Sequence, residues 1–192
     1  MIRDYDAIVL AGGRGSRLGG LRKPELTIAG RRLIDIALAA VGSATRIVVV
    51  GDAATPPGVA VTREDPPYGG PVAAVDAGFR HLSDHAEWTL LLASDLPSAE
   101  PAVAQLMAVD PLAEDDGICL LDAEARLQWL LGCYRTECLR TRLEQRGDPP
   151  LTAMHRLLSP LRLRGVAATS AVVDDIDTAA DARRWGALRP PS

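Results

Sequence analysis

The feature that most constrains the fold is a short apolar run that leads directly into a glycine-rich loop. The run from Asp6 to Leu10 predicts a buried parallel strand, because strands covered on both faces are continuously apolar. The glycines between Gly12 and Gly20 allow main-chain N–H groups to approach an anionic ligand closely. A strand followed by such a loop is typical of an α/β fold that binds phosphate groups at one edge of its sheet.

Strand candidates alternate with helix candidates along the rest of the chain. We predict further strands at 46–52, 58–62, 88–93, 117–121, 127–134 and 171–173, and helices at 33–41, 71–82, 100–109, 135–146, 151–158 and 178–185. This alternation predicts a doubly wound α/β fold, with a mostly parallel sheet and helices on both faces. We expect a single domain over residues 1–188 and a disordered tail at 189–192.

Composition excludes several classes of protein. A net charge of −4 argues against a broad nucleic-acid-binding surface, which needs many cations on one face. The sequence has neither a long apolar stretch nor a secretory signal pattern, so we expect no membrane association and a cytoplasmic location. The three cysteines form no C-x-x-C pair, which favours buried free thiols over disulfides or a zinc ribbon; they are Cys119, Cys133 and Cys138.

The chain contains a single lysine, Lys23, beside 20 arginines. Arginine thus supplies nearly every basic side chain, and a lysine retained at one position indicates a need for a compact ammonium group there. Such a group can contact a phosphate oxygen where a planar guanidinium would not fit. Lys23 follows the glycine loop and Arg17 lies within it, so the segment could hold a triphosphate. Two other phosphate loops do not match, because the segment from Gly13 to Leu18 lacks the last small residue of G-x-G-x-x-G and no G-K-[ST] occurs.

Residues 10–23 resemble the L-A-G-G-x-x-x-R-(M/L)-G-x-x-K signature of nucleotidyltransferases, and within them the molybdenum cofactor guanylyltransferase (MobA-like) family. The resemblance extends over most of the chain, through segments at 30–35, 65–74, 92–97 and 127–134, the last of which resembles the segment lining the acceptor side. It implies the Rossmann-like fold of nucleotide-diphospho-sugar transferases. The implied reaction is Mg²⁺-dependent transfer of GMP from GTP to the phosphate of molybdopterin, with release of pyrophosphate.

The resemblance also implies a set of site residues. The expected catalytic residues are Arg17, Lys23 and Asp95, and the expected nucleotide-binding residues are Leu10, Ala11, Gly12, Gly13, Gly15, Lys23 and Asp65. Asp95 follows a predicted buried strand, and Asp177 lies in a segment that resembles the family's N-x-N-T-P-E-D box, so these two are the expected Mg²⁺ ligands. The alternative for each carboxylate is a helix N-cap. Aspartates replace asparagines in this box, which makes the predicted site more negative.

The base and the acceptor are less constrained by the sequence. A carboxylate can accept hydrogen bonds from both N1–H and N2–H₂ of guanine, and Asp65 or Glu64 could supply it; the alternative is a solvated acidic turn. CTP, a sugar phosphate or a phosphorylated alcohol would be alternative substrates for the same reaction. An interpretation from another class is a non-catalytic nucleotide-binding protein, or a chaperone-like partner of a molybdoenzyme.

Two histidines could suggest a zinc site. His81 and His85 lie four residues apart on a predicted helix, which brings them to the same face. The sequence offers no third ligand nearby, so we expect an exposed helix face instead.

Overall fold

A computed structural model describes residues 2–12, 23–82, 86–145, 147, 153–169 and 173–187 of the chain. The elements in these ranges, in chain order, are β1 (Tyr5–Ala11), a 3-10 turn (Lys23–Glu25), β2 (Thr27–Ile28), β3 (Arg31–Arg32), α1 (Leu33–Ala40), β4 (Arg46–Gly51), β5 (Ala60–Thr62), α2 (Pro71–His81), β6 (Trp88–Ala93), α3 (Ala99–Met107), β7 (Gly117–Leu121), β8 (Leu127–Arg135), α4 (Thr136–Glu144), α5 (Met154–Leu158), β9 (Leu163–Ala167) and α6 (Ala179–Arg184).

Seven of the strands form one sheet in the order β5-β4-β1-β6-β8-β7-β9, while β2 and β3 form a separate hairpin. Strands β5, β4, β1 and β6 are parallel, and β7 is parallel to β9. Only β8 in this sheet runs antiparallel to its neighbours, β6 and β7. The predicted mostly parallel α/β sheet is therefore confirmed.

Helices cover both faces of the sheet, and each face has its own hydrophobic core. The core that contains Val9 and Leu92 also contains apolar residues of α1 and α3, and α6 packs against it. The core that contains Ile8 and Leu91 includes residues of α2, α4 and α5. Successive side chains of a strand point to opposite faces. This explains why β1, which is buried along its whole length, is continuously apolar after Asp6.

Asp6 is a fully buried carboxylate near the start of β1. It accepts hydrogen bonds from Nε and from a terminal nitrogen of Arg46, both at 3.0 Å, and from the main-chain N–H of Ala86 at 2.9 Å. A buried carboxylate is tolerated when it is paired and hydrogen-bonded in this way. Asp6 thereby joins the start of β1 to β4 and to the segment that precedes β6.

The edge strand β9 was not predicted from the sequence. It pairs only with β7 within the described sheet, and Gly165 interrupts its apolar pattern. A Cβ at Gly165 would come within 2.8 Å of the Leu121 side chain, so close packing accounts for the glycine. The strand predicted at 171–173 is wrong at Val173, which lies in a turn, while 171 and 172 lie outside the described residues. The first residues of the helix predicted at 151–158 and the tail at 189–192 also lie outside them.

The cysteines are free, as the sequence predicts, but only two of the three are buried. Cys119 and Cys133 are buried and Cys138 is partly exposed. Burial raises the pKa of the Cys119 thiol to about 12, which keeps it in the unreactive thiol form. Within the described ranges, no helix has the length and apolar character needed to cross a membrane.

Candidate active site

The ends of β1 and β6 meet at one edge of the sheet and bring two predicted residues together. The main-chain N–H of Ser94 donates to the carbonyl of Leu10 at 3.0 Å, which places Asp95 beside the end of β1. Lys23 opens the 3-10 turn that follows the glycine loop, and its Nζ lies 3.2 Å from Oδ2 of Asp95. The predicted phosphate-binding lysine and the predicted metal-binding carboxylate therefore share one site.

A late segment of the chain adds two more carboxylates. The N–H of Ile176 donates to the carbonyl of Asp95 at 3.1 Å, and the Ile176 side chain is fully buried. With Ile176 pointing into the core, Asp175 and Asp177 bring their carboxylates towards Asp95, and Asp177 also accepts a hydrogen bond from Lys23. Ligand oxygens of Asp95, Asp175 and Asp177 lie within 4.8 Å of one another.

We call these three aspartates the acidic cluster. It is the only group of three potential metal-ligating side chains among the residues that the structure describes. Hard carboxylate oxygens at this spacing suit Mg²⁺, which prefers oxygen ligands and retains several waters. Sequence reasoning missed Asp175, although its place two residues before Asp177 could have indicated it.

Helix capping accounts for neither predicted metal ligand. The N-cap of α3 is Ser98, so Asp95 lies three residues too early. The N-cap of α6 is Thr178, which forms a capping box with Asp181. The alternative interpretation of Asp95 and Asp177 as N-caps is therefore wrong.

The charges of the site act on one another. Burial by itself would lower the pKa of Lys23, but the hydrogen bond to Asp177 and the charge of Asp95 outweigh it, so the pKa is raised. Desolvation of the carboxyl group raises the pKa of Asp175, and the nearby charges of Asp95 and Asp177 raise it further. Among the described residues, one ammonium thus faces the three carboxylates of the acidic cluster, whose mutual repulsion a divalent cation would reduce.

A cavity of about 360 Å³ opens beside Lys23 and Asp95, and we call it the first cavity. Its walls come from the ends of β1 and β6, the 3-10 turn, the loop after β5 and the start of α2; the lining residues include Leu10, Gly12, Lys23, Glu64, Tyr68, Pro71 and Asp95. A small pocket that shares Gly12, Glu64 and Tyr68 adjoins it and includes Gly51 and Asp52. Together, the cavity and the pocket extend from Asp95 to Gly51 at the end of β4.

Gly51 shapes this edge and was missed by sequence reasoning. It ends β4 with a φ of 138°, and a Cβ there would lie 2.5 Å from the carbonyl oxygen of Ala11. Only glycine permits this conformation and this close approach. A glycine directly after three valines was the available signal.

The loop between β5 and α2 separates the two acidic residues considered for base recognition. Glu64 lines the first cavity, and its Oε1 accepts a hydrogen bond at 3.0 Å from the main-chain N–H of Tyr68. Asp65 lines a different groove, together with residues of α2 such as Asp76. The Tyr68 side chain, also missed from the sequence, is half exposed at the first cavity, with the Arg63 guanidinium 5.2 Å from its ring centre.

A second cavity of about 440 Å³ lies next to the first and shares Asp95 with it. Strand β8 and helix α5 supply much of its lining, which includes Gln128, Trp129, Leu130, Met154, His155 and Asp175. The segment at 127–134, which resembles the family's acceptor side, thus contributes to this second space. Asp95 stands where the two cavities meet, a geometry that suits a reaction between two bound molecules.

The remaining predicted residues either lie outside the described ranges or do not line the first cavity. Gly13, Gly15 and Arg17 lie outside the described residues, as does His85. His81 is exposed at the end of α2 and belongs to none of the potential metal-binding groups found in the described ranges. Ala11 lines the small pocket beside Gly12.

Sequence comparisons relate the chain to known proteins. The family model described as the MobA-like NTP transferase domain matches residues 7–166. A molybdenum cofactor guanylyltransferase of Acidiphilium cryptum is 36% identical over 112 residues, which represent 55% of this chain and 57% of that relative. The chain therefore matches a little over half the length of this curated relative.

Solved structures resemble the fold over nearly the whole chain. Molybdopterin-guanine dinucleotide biosynthesis protein A of Archaeoglobus fulgidus matches with a TM-score of 0.69 and 18% identity, covering 94% of this chain and 96% of that one. The 2-C-methyl-D-erythritol 4-phosphate cytidylyltransferase of Francisella tularensis matches with a TM-score of 0.73 and 12% identity, covering 95% and 99%. At these identities the likeness concerns the fold alone.

Proposed function

Because the chain belongs to the MobA-like NTP transferase family, we propose that it is a nucleotidyltransferase that transfers GMP from GTP to the phosphate of molybdopterin and releases pyrophosphate. The observation that carries this proposal is the meeting of Lys23 and Asp95 in one cavity at the ends of β1 and β6. The choice of GTP and molybdopterin follows the curated guanylyltransferase relative.

In the proposed reaction, a phosphate oxygen of the acceptor attacks the α-phosphorus of GTP. The new P–O bond forms as the bond between the α-phosphorus and the bridging oxygen breaks, and pyrophosphate leaves with the electron pair. Transfer of this kind needs little covalent chemistry from the protein, so positioning and charge stabilisation supply most of the acceleration. Lys23 lies in the first cavity, where its ammonium can offset the charge of the triphosphate.

The acidic cluster would hold the Mg²⁺ that the family relationship implies. Its three carboxylates supply hard oxygen ligands within 4.8 Å of one another, and Asp95 faces both cavities. When bound, Mg²⁺ would polarise the phosphate oxygens and stabilise the developing charge. Arg17 and the main-chain amides of Gly13 and Gly15 remain predicted contributors from the glycine loop.

Glu64 is the proposed base-reading residue, since it lines the cavity that Asp65 does not line. One of its oxygens accepts the N–H of Tyr68, which fixes the carboxylate in place. A fixed carboxylate can accept from N1–H and N2–H₂ of guanine, a pair that cytosine lacks. This supports GTP over CTP.

The acceptor is proposed to occupy the second cavity, beside Trp129 and His155. A largely apolar space with a few polar groups suits a ring system that carries a phosphate. The substrates, GTP and a phosphorylated pterin, favour a cytoplasmic reaction, with a molybdoenzyme or its chaperone as the expected recipient of the product.

The test is a combined binding and turnover assay. The four NTPs are added with Mg²⁺, and the melting temperature is measured, since a ligand that binds the folded state raises it by mass action. Pyrophosphate release is then measured with molybdopterin as acceptor. We expect protection and turnover with GTP. A preference for CTP would overturn the guanylyl assignment, and binding without pyrophosphate release would favour a non-catalytic role.

A further inference from the structure

The ammonium of Lys23 contacts two of the three carboxylates that the proposed function assigns to Mg²⁺. It contacts Oδ2 of Asp95 at 3.2 Å and also Oδ1 of Asp177. We infer that Lys23 and the divalent metal compete for these carboxylates, so that the metal enters together with a triphosphate that draws the ammonium away. The inference rests on the proposed function and concerns how its site is controlled.

The geometry places the two occupants in competition. Mg²⁺ binds oxygen at about 2.1 Å, so neighbouring ligands of one ion lie about 3 Å apart and opposite ones about 4 Å apart. The carboxylate oxygens of the cluster lie within 4.8 Å of one another, and carboxylate side chains can approach this spacing by rotation about their side-chain bonds. An ion there would lie a few ångströms from the present ammonium position. Repulsion would be strong, because the side chains of Lys23 and Asp95 are only 23% and 21% exposed.

A triphosphate offers Lys23 another partner. Lys23 lines the first cavity as well as contacting the cluster, so the same side chain can serve carboxylates or a phosphate within that cavity. Transfer of the ammonium to the phosphate removes its positive charge from the cluster, which favours binding of the metal there. Without nucleotide, Lys23 acts as an internal counter-ion that offsets the repulsion among the aspartates. Metal and nucleotide binding should therefore be positively coupled.

The first experiment uses the fact that Lys23 is the only lysine of the chain. Labelling with ¹⁵N at the lysine side chain gives one ammonium NMR signal from the intact protein. A GTP analogue with a methylene group between the α- and β-phosphates prevents turnover. We expect the analogue to change the chemical shift of this signal. Without the analogue, a further change caused by Mg²⁺ should require a much higher Mg²⁺ concentration than it does with the analogue bound. Equal sensitivity to Mg²⁺ in both states would overturn the inference.

The second experiment measures the affinity for Mn²⁺ without nucleotide, from the EPR signal of the free ion. Lys23→Met removes the competing charge at similar length, and we expect at least about tenfold tighter Mn²⁺ binding. Arg31→Met is the matched control, since Arg31 pairs with Glu100 away from the cluster and is half exposed. It should bind Mn²⁺ as the wild type does. An unchanged affinity in Lys23→Met would contradict competition.

A third variant separates failure of the inference from failure of the proposed function. Asp95→Asn is introduced into the wild type and into Lys23→Met, with melting temperatures recorded to verify folding. If Asp95→Asn abolishes Mn²⁺ binding while Lys23→Met fails to tighten it, only the competition is wrong. If Asp95→Asn leaves the affinity for Mn²⁺ unchanged in both backgrounds, the metal site and the proposed function are both wrong.

Discussion

At the scale of single residues, the lone lysine has two kinds of neighbour. Its ammonium contacts Asp95 and Asp177, and its side chain forms part of the wall of the first cavity. An arginine would bind these carboxylates through a planar fork with several fixed donors, which is larger and harder to release. The compact, rotatable ammonium is therefore matched to a site where the partner has to change.

Lys23→Arg should retain the fold and lose most of the transferase activity. We expect kcat/KM to fall by about 100-fold or more, the usual loss when one preorganised charge or donor is misplaced at a transition state. Pyrophosphate release measures the activity and thermal unfolding the fold. Arg31→Lys, the same exchange in reverse at an exposed ion pair, serves as control. Full activity in Lys23→Arg would refute the special role of the ammonium.

Glu64→Gln should weaken the preference for GTP over CTP. Glutamine can still accept the N–H of Tyr68 but cannot accept two donors with a charged group, and hydrogen bonds to charged groups contribute about 1.5–3 kcal/mol. We expect the ratio of the two kcat/KM values to fall by about tenfold or more. Asp65→Asn, in the adjacent groove, should leave the ratio unchanged. The opposite result would assign base reading to Asp65, the other candidate that the sequence offers.

At the scale of elements, the edge strand β9 is held by side chains as well as by its ladder with β7. Asp116, which precedes β7, accepts hydrogen bonds from the main-chain N–H of Arg162 at 2.9 Å and from its guanidinium at 3.0 Å. These hydrogen bonds and the charge of Arg162 lower the pKa of Asp116. The chain before β9 is thereby tied to the start of its partner strand.

Because of this ion pair, the stability of the folded protein should fall as the pH is lowered. The pKa of Asp116 is lower in the folded protein than in the unfolded chain. Its contribution to the free energy of unfolding is therefore complete above the unfolded-state pKa of about 3.9, and this contribution is lost as the pH falls through the folded-state pKa. Asp116→Asn should lower the melting temperature at pH 7 by about 2–4 °C, the shift for about 1 kcal/mol in a chain of this size. The difference from the wild type should shrink as the pH is lowered below about 4.

Melting curves between pH 3 and pH 7 test this prediction. Glu137→Gln is a suitable control, because Glu137 is 81% exposed in its pair with Arg140. A difference between Asp116→Asn and the wild type that stays constant across this pH range would show that the carboxylate charge is not the stabilising feature.

At the scale of the whole molecule, the sheet brings two cavities to the two sides of one carboxylate. Strands β1 and β6 supply the first cavity, and β8 with α5 supplies much of the second. Asp95 belongs to both because β6 lies between β1 and β8 in the sheet. Two substrates bound on either side would present their reacting groups to the same charges, which is how proximity lowers a bimolecular barrier.

A substitution in the second cavity should weaken binding of the acceptor without affecting binding of GTP. His155→Trp adds bulk to the second cavity and should raise the KM for the acceptor by about tenfold or more, by analogy with the cost of overfilling packed sites. Protection against thermal unfolding by GTP with Mg²⁺ should persist. Arg156→Trp, on the same helix but outside the cavity lining, should leave both properties unchanged. Loss of GTP protection in His155→Trp would show that the cavities do not bind separate substrates.

Local sequence patterns were sufficient for much of the fold and part of the site. Buried parallel strands are continuously apolar, so β1, β4 and β6 could be recognised, and with them the mostly parallel sheet. Lys23 and Asp95 could be selected because their residue types and their positions after strands are local properties. The edge strand β9 could not be predicted in this way, because its pairing depends on a distant partner and its glycine is required by packing against Leu121.

Tertiary structure decided which polar groups meet. Asp175 joins the acidic cluster because Ile176, buried and bonded to the carbonyl of Asp95, fixes the segment around it. Glu64 rather than Asp65 lines the first cavity because the loop divides their side chains between two spaces. Periodicity and residue type are encoded over a few neighbouring positions, whereas these contacts join residues up to 154 positions apart, as in the pair of Lys23 and Asp177. Only the folded chain sets such distances.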